Sequence, residues 1–83
     1  MFTNYEFNLA AFKHGVTEDD IRWAFLRTVF DGLMEGEDNK HLRLGFDGRG
    51  NLLEVMYNLI DEQSVNIFHA MKCRKSFIAL TNQ

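Results

Sequence analysis

The sequence predicts an α+β fold in a single domain spanning residues 1–83: two N-terminal helices, an antiparallel sheet of three strands or slightly more, and a short C-terminal helix. Three observations carry this. Apolar residues recur at helical spacing between Leu9 and Phe30, they alternate with polar ones from Leu42 onward, and polar or glycine-bearing turns separate the alternating runs. Eighty-three residues with 46% apolar content suffice for one core and not for two. The chain has no proline and no low-complexity tract, so the whole of it is expected to fold.

The first helix is expected over residues 8–15, with Asn4 or Asn8 as cap, Leu9 and Phe12 three apart, and Gly15 as a left-handed stop. The second has the clearest local signal. Thr17 supplies a capping hydroxyl, and Glu18, Asp19 and Asp20 place carboxylates in the first turn, where free N–H groups and the helix dipole favour negative charge. It is expected to run through Ile21, Trp23, Ala24, Phe25, Leu26, Val29 and Phe30 to a stop at Asp31-Gly32. That stripe is wider than one helix face needs, which suggests a sandwiched helix or one that meets a partner.

Residues 35–40 form a charged connection. Leu42, Leu44 and Phe46 then alternate with His41, Arg43 and Gly45 as a first strand with a buried and a polar face. Asp47-Gly48-Arg49-Gly50-Asn51 is a hairpin turn in which glycine supplies positive φ. Residues 52–60 make a second strand, with Leu53, Val55, Tyr57 and Leu59 on one side and Glu54 and Asn58 on the other. Residues 64–70 make the third, and residues 71–80 a C-terminal helix with Lys72, Arg74 and Lys75 near its start.

The net charge of −3 is unevenly spread. Residues 1–38 carry three bases and eight acids, whereas residues 39–83 carry six bases and four acids. A local phosphate site is compatible with this, and long-range steering toward nucleic acid is not. A lone Cys73 excludes an internal disulfide and a cysteine zinc site, and fits a reducing compartment. Neither a basic leader with an apolar core nor a membrane-length apolar run is present, so the expected location is cytoplasmic, with no membrane partner. His14, His41 and His69 lie 27 and 28 residues apart with no paired-ligand spacing, so neither a metal nor any other cofactor is expected.

The residues suited to chemistry are Lys13, His14, Arg43, Arg49, His69, Arg74 and Lys75. Attack by an RNA 2′-hydroxyl needs a base, an acid and cations that hold the phosphate, and these side chains fill those roles. Each also has a plain structural explanation. Lys13 and His14 complement a helix C-terminus. Arg43 pairs across to Glu54, Arg49 is a solvated turn residue, and Lys72, Arg74 and Lys75 form a solvated helix face. His69 shares strand parity with Val65 and Ile67 and is buried unless a bulge turns it. Cys73 is a small buried hydrophobe rather than a nucleophile partnered by His69.

Taken in order, Phe12-Lys13-His14-Gly15-Val16-Thr17-Glu18-Asp19-Asp20-Ile21, Leu42-Arg43-Leu44-Gly45-Phe46, Gly50-Asn51-Leu52-Leu53-Glu54-Val55 and Ile67-Phe68-His69-Ala70-Met71-Lys72-Cys73-Arg74-Lys75 resemble the BrnT-like toxins of bacterial type II toxin–antitoxin systems. The resemblance implies a RelE-like α+β fold, metal-independent RNA cleavage that inhibits translation, and a ribbon-helix-helix antitoxin as partner. By position it matches Arg43 to the basic residue of RNA cleavage and Lys13 and His14 to the motif before the second helix; together with the residue types above, the expected catalytic residues are His14, Arg43, His69 and Arg74, and the expected RNA-binding ones Lys13, Arg49, Lys72 and Lys75. The sequence departs from the family at the last strand, where His69 stands for the usual Ser and Met71 for the usual Arg, leaving Arg74 as a displaced substitute. The acidic balance departs from it as well. The alternatives are a non-catalytic protein-binding adaptor of the same fold and a homo-oligomer that hides the apolar helix against a second copy.

Overall fold

The computed structural model describes residues 2–82. Its elements are β1 (Asn4–Phe7), a 3-10 turn (Leu9–Phe12), α1 (Glu18–Leu26), β2 (Thr28–Leu33), β3 (His41–Phe46), β4 (Leu52–Asp61), β5 (Ser64–Lys72), α2 (Lys75–Ile78) and a final 3-10 turn (Ala79–Asn82). The strands form one five-stranded sheet in the order β1-β5-β4-β3-β2. β2 through β5 are antiparallel to their neighbours and β1 lies parallel to β5, with Phe7 opposite Ile67. No helix among the described residues is long and apolar enough to cross a membrane.

This architecture corrects the expected one of two N-terminal helices and three strands. Asn4–Phe7 alternates exposed and half-buried residues, with Tyr5 and Phe7 turned inward, and so adds a strand beside β5. The expected first helix is only a 3-10 turn capped by Asn8, whose side chain accepts from Ala10 N at 2.9 Å. The second helix begins as expected, with Thr17 and Asp20 closing a reciprocal capping box, but it stops at Leu26. There the Thr28 hydroxyl donates to the carbonyls of Ala24 and Phe25, groups that a longer helix would have bonded internally. Residues 28–33 continue as an edge strand, so the broad apolar stripe through Phe30 belongs to two elements. At the other end, Met71 and Lys72 finish β5, and α2 is a single turn.

Both faces of the sheet are covered. Against one face lie α1 and the segment before it, where Ile21, Ala24, Phe25, Ala11 and Val16 pack on Leu53, Val55, Tyr57, Val65, Ile67 and Ala70. Against the other, Phe30, Phe68, Phe77 and Leu80 pack on Leu42, Leu44 and Met56. The face of β3 expected to be polar, carrying His41, Arg43 and Gly45, is therefore the one that α1 covers. Gly45 permits this approach, since a Cβ there would overlap the Ala24 carbonyl.

The hairpin between β3 and β4 is tied by Asp47. This buried carboxylate accepts from Arg49 N, Asn51 N and Asn51 Nδ2 at 2.8 to 3.0 Å. Burial opposes its ionisation, but the hydrogen bonds from Asn51 and Arg49 outweigh that and hold its pKa below the usual carboxylate range. Gly50 supplies the positive φ of the turn.

Candidate functional site

His69 and Arg74 meet on one carboxylate, that of Glu54, and His14 lies against His69. Glu54 sits in the middle of β4 and is completely buried. Its oxygens accept from His69 Nε2 at 2.9 Å, from Arg74 N at 2.9 Å, from Arg74 Nε at 3.0 and 3.1 Å, and from Arg74 Nη2 at 2.8 Å. Burial by itself would favour the neutral acid. The donors from Arg74 and His69 overcome it, so the Glu54 pKa lies below the ordinary glutamate value. The same hydrogen bonds hold the Arg74 guanidinium more firmly protonated than usual.

A strand irregularity brings His69 to this carboxylate. Tyr57 pairs with Ile67 while the preceding Met56 pairs with His69, so Phe68 is an extra residue on β5. Beyond it the parity of β5 inverts. His69 leaves the side of Val65 and Ile67 and joins that of Met56 and Glu54, with 19% of its side chain exposed. Because the ionised carboxylate only accepts, His69 donates through Nε2, so that in its neutral form the other ring nitrogen, Nδ1, is the one with a lone pair. The Arg74 side chain spends Nε and one Nη2 hydrogen on Glu54 and is half exposed, which leaves Nη1 and the second Nη2 hydrogen for a ligand.

His14 completes the cluster. It follows the 3-10 turn, on an exposed corner that Gly15 turns with φ +82°. Its ring centroid is 5.6 Å from that of His69, in edge contact. His14 also lines a groove of about 310 Å³ with Asp20, Asp47, Arg49, Asn51 and Lys72. Of the other expected RNA-binding residues, Lys13 flanks His14 and Lys75 follows Arg74, both exposed.

Arg43 lies elsewhere. It pairs with Val55, on the α1 side of the sheet, whereas Glu54 pairs with Leu44 on the opposite side. Its guanidinium carbon is 4.4 Å from the Phe25 ring centroid, Nη2 donates to Asp31 at 2.7 Å, and Nη1 donates to the Phe25 carbonyl. The expected cross-strand pair with Glu54 is absent for the same reason of parity. Arg43 and Arg74 therefore do not face one phosphate, and the side chains that come together are His14, His69, Glu54 and Arg74.

Sequence reasoning passed over Glu54, Asp31 and Tyr57. The available signal was an acid inside Leu52-Leu53-Glu54-Val55-Met56-Tyr57, since a run apolar at both parities marks a strand covered on both faces. Tyr57 donates to both Asp31 oxygens, and burial together with that acid drives its pKa strongly upward. Cys73 Sγ donates to the Arg74 carbonyl, and burial followed by the Glu54 charge raises the thiol pKa, the opposite of an activated thiolate. Among the described residues, no three His, Cys, Asp or Glu side chains converge as a metal site. No protein-family model matches the sequence, and comparison with functionally characterised proteins yields no match.

Proposed function

We propose that this chain is a toxin-like ribonuclease that cleaves RNA without a metal, through His14, His69 and Arg74. The observation that supports it is the pair of imidazoles in edge contact beside a guanidinium, with both His69 and Arg74 oriented by a buried carboxylate. His69 Nδ1 takes the proton from a 2′-hydroxyl as O2′ bonds to phosphorus. Protonated His14 gives its proton to O5′ as the P–O5′ bond breaks, leaving a 2′,3′-cyclic phosphate and a 5′-hydroxyl. Arg74 offers its remaining hydrogens to the non-bridging oxygens as charge builds. Glu54 is a positioning residue. Lys13, Lys72 and Lys75 hold the flanking backbone, and in a bacterial cytoplasm the activity would be restrained by a ribbon-helix-helix antitoxin.

The test is incubation of the purified, partner-free protein with a defined RNA in the presence of EDTA. Cleavage to cyclic-phosphate ends is expected, with loss of the reaction in His14→Ala and His69→Ala and in RNA carrying 2′-deoxyribose at the scissile position. Intact free RNA and intact ribosome-bound message would overturn the reading.

A second reading, a non-catalytic adaptor, is favoured by one observation: Arg43 and Arg74 are both paired with carboxylates. An adaptor would leave its host growing normally on expression, and a nuclease would arrest it.

A further inference from the structure

The groove beside His14 has no part in the proton transfers described above, yet it opens onto the imidazole that performs one of them. We infer that it seats a guanine base of the substrate, an assignment that rests on the ribonuclease reading and names the nucleotide next to the scissile phosphate. Its volume of about 310 Å³ is at the small end of ligand sites, suited to one base rather than to a larger group. Val16, Leu53 and Met71 give it apolar surface for a ring face, while Arg49 and Lys72 give it positive charge for a phosphate.

The polar groups are held in place before any ligand arrives. Asp20 Oδ2 accepts from Thr17 N at 2.9 Å, which fixes the carboxylate through the capping box. Its other oxygen, Oδ1, forms an ion pair with Arg49 Nη2 at 3.7 Å, beyond hydrogen-bond range, and so keeps its acceptor capacity. The Arg49 side chain is 76% exposed and lies at 3.7 Å from Asp20 and 3.8 Å from Asp47, loose solvent-facing ion pairs that a phosphate would compete with. Asp47 is consumed by the hairpin, and Asn51 spends its amide N–H on Asp47, which leaves its side-chain oxygen as a second acceptor.

An occupant must therefore bring N–H donors to acceptors, a flat apolar face and a negative charge. Guanine carries adjacent N–H donors at N1 and N2, matching a carboxylate, whereas uracil turns two carbonyls toward it around a single N–H, and adenine and cytosine set one amino group beside a ring acceptor. Since His14 both lines the groove and touches His69, the phosphate of a seated nucleotide lies toward the imidazole pair.

Backbone amide chemical shifts of the labelled protein, followed during titration with 5′-GMP, 5′-IMP and 5′-UMP, test this without requiring cleavage. GMP is expected to move Gly15, Val16 and residues 48–51, and to bind about tenfold more tightly than IMP, which lacks the N2 amino group, or UMP. Asp20→Asn, which retains a capping oxygen, should bring the three nucleotides to equal affinity. Equal or absent binding of all three by the unaltered protein would overturn the inference. In parallel, replacing guanosine by inosine at a cleaved site should slow cleavage about tenfold. Cleavage indifferent to that change would sink the guanine assignment and leave the nuclease standing. Selective GMP binding by a protein that cuts no RNA would do the reverse.

Discussion

The two faces of the sheet each hold an arginine paired with a carboxylate, and the pairs are built to opposite ends. On the α1 side, Arg43 has 15% of its side chain exposed, its partner Asp31 is the more open group at 31%, and the guanidinium is stacked among Phe2, Phe25 and Tyr57. On the other side the order is reversed: Glu54 is sealed and Arg74 is half exposed. Where the cation is buried, the pair works as a packing element: Nη1 and Nη2 donate to the Phe25 carbonyl and Asp31, and Nε is buried without a partner among the described residues. Where the anion is buried, it anchors a cation whose remaining donors face outward. The same two residue types thus give a core contact on one face and a ligand-ready group on the other, depending on which partner the fold covers.

Exchanging the roles of the faces should produce the largest effect. His69→Ala is expected to lower the RNA cleavage rate about 10²- to 10⁴-fold, the usual worth of a general acid or base, with a smaller loss of thermal midpoint than Glu54→Ala because the Arg74 hydrogen bonds to Glu54 remain. Arg43→Ala should do the opposite, lowering the midpoint while leaving the rate per folded molecule as it was. Single-turnover kinetics beside calorimetry on the two variants reads both halves. A rate loss in Arg43→Ala as large as that in His69→Ala would erase the distinction between the faces.

Glu54→Ala comes next. It removes the acceptor of His69, the Arg74 backbone and the Arg74 guanidinium together, and should cost about 3 kcal/mol in urea denaturation, the lower end for breaking a buried pair because Arg74 can turn to water. The acid limb of stability should depend on the same residue. The folded-state pKa of Glu54 is depressed, so its contribution is fully present above the ordinary glutamate value of 4.5 and is lost as pH falls through the lower folded value. Denaturation midpoints measured from pH 7 downward should fall less steeply in Glu54→Gln than in the unaltered protein; parallel curves would show that folding does not depress the Glu54 pKa. The smallest effect belongs to the α1 face. Tyr57→Phe removes one hydroxyl donor to Asp31 and should cost about 1 kcal/mol, with no change in cleavage.

How much of this was legible depends on the range of the interaction that decides each feature. The capping box at Thr17 and Asp20, the φ > 0 glycines at Gly15 and Gly50, and the strand character of residues 41–46 and 52–60 are consequences of residues a few positions apart, and the sequence reports them directly. The end of α1 is not of that kind. Val29 and Phe30 continue a helical pattern, and the stop comes from a Thr28 hydroxyl and an Arg43 guanidinium that take up the last carbonyls. β1 was missed because a four-residue strand has little period of its own and is held by its parallel partner β5. For the candidate site, the residue types were readable and their grouping was not. His69 changes sides through a bulge at Phe68, and Arg43 is separated from Arg74 by the thickness of the sheet.

By itself, then, the amino-acid order determined where the cap of α1 and the β3–β4 turn fall, that residues 41–46, 52–60 and 64–70 are extended, and which side chains have acid, base or phosphate-binding chemistry, because backbone sterics and short-range hydrogen bonds depend on near neighbours. Only the tertiary structure decided which of those side chains share a space. Strand register, one extra residue in β5 and the covering of Glu54 by the C-terminal segment are set by burial over the whole domain, and burial is a property of the packed chain rather than of any local stretch of it.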